Sequence, residues 1–185
     1  ELERHIARLK ASAERFGFRL DRHALRNELQ AASFRLRDAR RVRIRLAPSG
    51  EVAIEVTAAP AVIDEAEVSL AARPVPRDDL RLAHKTSDRA FYDDTRRAAG
   101  TFEVVLVDEE GFVTEGSFTS VFVRREGKLV TPPLSLGLLP GVLRELLIDQ
   151  GLATEADLTV ADLASGFYIG NVVRGLIPAR LVAGA

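Results

Sequence analysis

The chain has no cysteine, no methionine and no tryptophan among its 185 residues. Without cysteine it can form no disulfide, hold no thiolate-bound zinc and use no catalytic thiol. A reducing, cytoplasmic setting is the expectation. The sequence contains no uncharged apolar run of membrane-spanning length, and no signal-peptide pattern is visible. Nor is one sign of charge in excess: 26 basic residues face 27 acidic ones, for a formal charge of −1. The two signs interleave, which argues against a nucleic-acid surface. The densest basic stretch, Arg35 to Arg45, alternates with Val42, Ile44 and Leu46 and reads as the wet face of a strand. His5, His23 and His84 share no metal-ligand spacing, so no metal site is expected. Gly-x-Ser-x-Gly, Gly-x-Gly-x-x-Gly and the phosphate-loop lysine motif are missing too, which argues against a nucleophile elbow and against nucleotide binding.

What is present is an ordinary globular pattern. The composition is 46% hydrophobic, and a chain of this length suits one large or two small domains that bury about 70% of the unfolded surface. Leu2, Ile6, Leu9, Ala13 and Phe16 recur at helical spacing, and Gly17 ends that helix. Asp21 is the expected N-cap of a second helix through about Ala32. Val42, Ile44 and Leu46, then Val52, Ile54 and Val56, alternate on either side of Pro48-Ser49-Gly50 and predict a hairpin. A third strand is expected around Val68 to Ala72, followed by the loop Pro74 to Asp79. That loop is taken as the linker, with lobes at 1–80 and 81–185. In the second lobe the pattern predicts a helix over Asp88–Ala98 and strands at Glu103–Val107, Phe112–Glu115, Thr119–Val123, Leu129–Thr131 and Phe167–Asn171. It also predicts helices over Pro140–Gln150 and Asp157–Ala164. The fold class is α+β in two lobes, with largely antiparallel strands. A chain that opens inside a helical pattern without methionine is expected to be a piece of a longer polypeptide.

Three segments offer chemistry. Lys85 lies in His84-Lys85-Thr86-Ser87-Asp88-Arg89, beside small hydroxyl residues at a helix entry. Glu115 lies in Val113-Thr114-Glu115-Gly116-Ser117-Phe118-Thr119-Ser120. Thr131-Pro132-Pro133 is followed by Gly137-Leu138-Leu139-Pro140-Gly141-Val142-Leu143-Arg144. Together they supply an amine, a carboxylate and a glycine-bearing helix start, the three things pyridoxal phosphate needs. Taken singly, each has a plainer reading: a solvated lysine, an exposed turn carboxylate and a common loop-to-helix junction. A lysine acting as nucleophile must be neutral part of the time, which burial and neighbouring positive charge promote.

As a set, the segments resemble the class IV (fold type IV) pyridoxal-phosphate enzymes, a family that includes branched-chain and D-amino acid aminotransferases and aminodeoxychorismate lyase. His-Lys-Thr-(Ser/Thr)-x-Arg-x-x-Tyr, completed here by Arg89 and Tyr92, is similar to the lyase branch in particular. The resemblance implies that Lys85 attaches the cofactor, that Glu115 meets its ring nitrogen, and that Gly141 with the amides of Val142 and Leu143 meets its phosphate. His5-x-x-Arg8-Leu9 resembles the family helix whose arginine reaches that phosphate. Gly170-Asn171-Val172-Val173-Arg174-Gly175 matches the family's last active-site loop, which implies cofactor contacts from Asn171 and Val172 and a substrate carboxylate on Arg174, with Arg89 and Tyr92 as further substrate contacts. Ser120 stands where related sequences have asparagine, and Val172 where aminotransferases often have threonine. The family's first strands would precede Glu1. The implied activity is 4-amino-4-deoxychorismate lyase, with a class IV aminotransferase as the alternative and a non-catalytic domain of a fused polypeptide as a third reading. The resemblance further implies a homodimer, and an origin downstream of aminodeoxychorismate synthase component I in one polypeptide.

Overall fold

The computed structural model describes residues 1–183; residues 184–185, the end of the expected second lobe, lie outside the described residues. The chain divides into two compact units, the first Glu1–Ala61 and the second beginning at Val62. Among the described residues no helix is long and apolar enough to cross a membrane, and no cluster of histidine and acidic side chains is gathered for a metal ion.

In the first unit α1 (Leu2–Phe16) turns Ile6 and Ala13 inward and stops at Gly17, whose φ of 68° is cheap only without a Cβ. The amide of Phe18 reaches back to the Ala13 carbonyl at 2.8 Å, closing the helix end. Helix α2 (Arg22–Ser33) begins where the Asp21 carboxylate accepts from the amides of His23 and Ala24. Strands β1 (Arg40–Leu46) and β2 (Val52–Ala58) pair antiparallel, with Ile44 opposite Ile54 and Leu46 opposite Val52. Ile6, Leu25 and Leu29 pack with Ile44, Val52 and Ile54 into a core of their own.

The second unit starts with β3 (Ala66–Ala72), then α3 (Leu80–Ala83) and α4 (Ala90–Ala99). Strands β4 (Glu103–Val107), β5 (Val113–Gly116), β6 (Ser120–Arg125) and β7 (Lys128–Thr131) follow. A 3₁₀ turn at Leu134–Leu136 leads to α5 (Val142–Asp149). The chain ends with β8 (Ala153–Glu155), a capped 3₁₀ turn at Val160–Leu163, β9 (Phe167–Asn171) and β10 (Gly175–Leu181). One sheet of eight strands runs β5-β4-β3-β10-β9-β6-β7-β8. Its main core unites Val68, Val105, Val113, Val121, Leu158, Phe167, Ile169 and Ile177.

Two expectations change. The boundary falls at Ala61 rather than near residue 80, because β3 is paired parallel to both β10 and β4. The loop taken as a linker is pinned to the second unit: the Arg73 guanidinium donates to the carbonyls of Val75 and Leu136, and Arg77 Nε donates to the Ser135 carbonyl. The strands are also less antiparallel than expected, since β3–β10, β3–β4 and β7–β8 all run parallel.

Candidate active site

The site is built on the tight turn that joins β5 to β6, two strands that pair with other neighbours and not with each other. Strand β5 is buried along its whole length, and its pairing with β4 shifts register between the Val107–Val113 and Val105–Gly116 pairs. The turn closes with the Gly116 amide on the Thr119 carbonyl at 2.8 Å. Gly116 admits no side chain, because a Cβ there would lie 2.3 Å from Thr119 Oγ1 and 2.8 Å from Glu103 Oε2.

Glu115 leaves the last residues of β5 and is 5% exposed. One carboxylate oxygen accepts from the Tyr92 hydroxyl and the other from the Leu139 amide at 3.1 Å. Burial pushes its carboxyl up to about 7; the bonds from Tyr92 and Leu139 and the charge of Lys85 pull down, and the charge of Glu103 pushes up. Each oxygen keeps a further lone pair for an incoming donor. Tyr92, on α4, is buried. Its phenol is driven well above the ordinary range by that burial and by the carboxylate beside it.

Lys85 lies in the loop between α3 and α4, near enough for its charge to act on Glu115. It is exposed rather than buried, so the burial invoked for a neutral amine is not found within this chain. Arg89 precedes α4 and donates to the Ser117 carbonyl at 2.7 Å and to Asp93 at 3.2 Å. Its guanidinium also lies over the Tyr92 ring. Arg89 and Tyr92, expected at the substrate, are thus engaged with the turn and with Glu115.

The helix start forms a second wall. No side chain caps the first amides of α5, whose N-cap is Gly141. A Cβ on Gly141 would sit 2.7 Å from Ser120 Oγ, so Ser120, Gly141 and the amides of Val142 and Leu143 share one small space. Ser120 pairs with Gly170 of β9. Beyond it the chain turns at Asn171, whose side-chain oxygen accepts from the amides of Val173 and Arg174. The Asn171 amide group donates to the Phe118 carbonyl at 3.2 Å, while Val172 packs against the cluster of Phe122, Leu143 and Leu147. The Arg174 guanidinium lies over the Phe102 ring, which meets the Phe118 ring edge-on. Lys85, Arg89, Tyr92, Glu115, Asn171 and Arg174 therefore gather around the turn of Gly116 to Thr119. Arg8 lies on α1 in the first unit.

Sequence reasoning missed two members. The Leu139 amide fixes Glu115 through a backbone group, which no side-chain pattern reports. Glu103 is wholly buried, and its only signal was an acid at the head of the apolar run Val104 to Val107.

A profile of class IV amino-transferases matches residues 1–182. The chain belongs to this family. Class IV aminotransferases depend on pyridoxal phosphate, and the donor set here fits it: a buried carboxylate with spare lone pairs, a glycine-lined helix start with uncapped amides, and a nearby lysine. A crystal structure from Mesorhizobium loti, of a protein assigned as an amino-acid aminotransferase, is 38% identical and superposes with a TM-score of 0.90 over 98% of this chain and 91% of that one. A Thermotoga maritima protein assigned as a branched-chain-amino-acid aminotransferase is 30% identical over 96% of this chain and 70% of its own length. The 4-amino-4-deoxychorismate lyase of Pseudomonas aeruginosa is 25% identical, with a TM-score of 0.77 over 99% of this chain and 78% of that one. This class IV chain is thus similar to transaminases and to a lyase alike.

Proposed function

We propose that the chain is a pyridoxal-phosphate-dependent 4-amino-4-deoxychorismate lyase that releases 4-aminobenzoate and pyruvate. The observation that carries an enzymatic reading is the state of Glu115: buried, doubly hydrogen-bonded, raised to about 7 and within range of Lys85. What sets Glu115 apart from a purely structural carboxylate is the charge of Lys85 acting on it and the lone pairs it keeps for a further donor, and a perturbed carboxyl beside a lysine suits a reacting centre.

When bound, pyridoxal phosphate supplies an electron sink conjugated to the substrate amine. Glu115 would hold the ring nitrogen, accepting its N–H on an oxygen kept in place by Tyr92 or Leu139. The amides of Val142 and Leu143, with Asn171 and Val172, would hold the phosphate at the start of α5. Arg8 is proposed as a further phosphate contact. Lys85 Nζ takes the proton from the amine-bearing carbon of the substrate. The ring carbon–oxygen bond to the enolpyruvyl group then breaks with its electron pair leaving on oxygen. The released enolate takes up at its methylene carbon one proton, such as the one Lys85 removed, to give pyruvate, and the ring is left aromatic. Arg174 and Arg89 supply cationic anchors for a dicarboxylate substrate, and Tyr92 shapes the same wall.

The lyase reading is supported by the Lys85-Thr86-Ser87-x-Arg89-x-x-Tyr92 pattern and by the Pseudomonas likeness. A class IV aminotransferase is the second reading, favoured by the higher identity with the Mesorhizobium and Thermotoga proteins. Incubation with 4-amino-4-deoxychorismate should yield 4-aminobenzoate fluorescence and an equal amount of pyruvate. Turnover of branched-chain or D-amino acids to their keto acids, with no 4-aminobenzoate, would establish the aminotransferase instead. Arg174→Ala should raise KM for the chorismate derivative by about tenfold or more, the loss of a charge-assisted pair. Unchanged KM and kcat would remove Arg174 from the site. We also propose a homodimer, which sedimentation of the purified chain tests directly.

A further inference from the structure

Glu103 has no part in that reaction and is the most completely enclosed carboxyl in the site's surroundings. It is 0% exposed, and none of the causes acting on its carboxyl is a cation: burial pushes it up and hydrogen bonds from Ser117, Thr119, Val104 and Phe118 pull it down. Five donors converge on it instead. Oε1 accepts from the amides of Val104 and Ser117, both at 2.9 Å, and from Ser117 Oγ at 2.5 Å. Oε2 accepts from the Phe118 amide at 3.1 Å and from Thr119 Oγ1 at 2.7 Å. Four of the five come from the turn that follows Glu115. The same turn offers its outward carbonyls to other members of the site, Ser117 to Arg89 and Phe118 to Asn171.

We propose that Glu103 is a positioning residue: its buried carboxyl is the template on which the Gly116–Thr119 turn is laid, and it thereby sets Glu115, Arg89 and Asn171 relative to one another. This inference rests on the reading of Glu115 as the partner of the cofactor ring.

The geometry explains why glutamate is required. Backbone amides cannot reverse their hydrogens, and one or more point at each oxygen. In Glu103→Gln the amide group would bring an N–H₂ against the Phe118 amide, or, flipped, against those of Val104 and Ser117. Either way a buried donor faces a donor. The substitution is isosteric, so it tests the hydrogen-bond pattern without leaving a hole. Gly116 shows the same tolerance limit from the other side, since any Cβ there would collide with Glu103.

The test compares wild type, Glu103→Gln and Glu115→Gln by three measurements. These are the urea midpoint, the affinity for pyridoxal phosphate followed by absorbance, and the carboxyl titration of Glu115 in the cofactor-free protein by carbon NMR. Glu115→Gln identifies the resonance. Glu103→Gln is expected to bind pyridoxal phosphate at least about tenfold more weakly, the cost of one unmatched buried donor, and to move the Glu115 titration midpoint downward. A lowered urea midpoint with unchanged affinity and unchanged Glu115 titration would reduce Glu103 to a structural residue and overturn the proposal. If Glu103→Gln does not fold, the double variant Ser117→Ala/Thr119→Val removes two donors and keeps the carboxyl. Its affinity and Glu115 titration should shift in the same sense for the cofactor and at all for the carboxyl, and no shift in either again overturns the proposal. If the wild type retains no pyridoxal phosphate, the cofactor reading of Glu115 fails by itself. The Glu115 titration in Ser117→Ala/Thr119→Val, which keeps the Glu103 charge, then still decides whether Glu103 positions it.

Discussion

A carboxyl enclosed as fully as that of Glu115 alters how the whole protein responds to pH. Its ordinary value of 4.5 rises to about 7 in the fold, chiefly through burial. Between those values the folded protein holds a proton that the unfolded chain has released, so stability falls as pH rises through the window and levels off above about 7. The full swing is about 3 kcal/mol by the usual conversion of a pKa difference. Glu103, raised by the same cause, adds a slope of the same sign. Urea unfolding of cofactor-free Glu115→Gln at roughly pH 5 and pH 8 should therefore show a smaller difference than wild type. An equal difference in both proteins would mean that Glu115 titrates normally. At this scale the sequence revealed the residues that stand in recognisable strings, such as Lys85 and Glu115. It concealed Glu103, because an acid heading an apolar strand looks like a residue leaving the core, and only the fold brings Ser117, Phe118 and Thr119 back to it.

Helices with clean periodicity and a recognisable cap were legible to within a residue or two. Asp21 is one example: its side chain takes two amides, and its carboxyl is held below the ordinary range by them. Asp21→Ala should lower the urea midpoint at neutral pH through loss of the cap, and the wild-type advantage should fade as pH drops through the lowered Asp21 value. Strand β10 was not legible, since Pro178 argues against an interior strand. The register resolves the conflict. β10 pairs with β9 over Gly175–Ala179 and with β3 only from Ala179 onward, so Pro178 faces a partner on one side alone. Two glycines of the site differ in what they exclude. Gly116→Ala would press on the hydrogen-bonded Thr119 and Glu103 side chains and should cost about 1–3 kcal/mol of stability. Gly141→Ala collides only with the Ser120 hydroxyl, which can rotate away, its other neighbours standing at 3.8 Å or more. It should weaken pyridoxal phosphate binding more than it weakens the fold. Chemical denaturation and cofactor titration of the two variants separate these outcomes, and equal losses of stability would refute the distinction.

The two units have separate cores, with Ile6 fully enclosed in the first. Ile6→Ala should cost about 2–5 kcal/mol, and hydrogen exchange should place the loss in residues 1–61 while the amides of β4 stay protected. Matching losses in both units would mean that they unfold as one. The order of strands in the second unit carries a consequence for how the molecule is made. Strand β10, made after every other described strand, sits between β3 and β9 in the middle of the sheet. Until it emerges, no strand pairing joins the run β5-β4-β3 to the run β9-β6-β7-β8. Asn171 and Glu115 belong to opposite runs. A nascent chain stalled before Gly175 would hold every candidate catalytic group and still lack the strand that brings the two halves of the sheet into register.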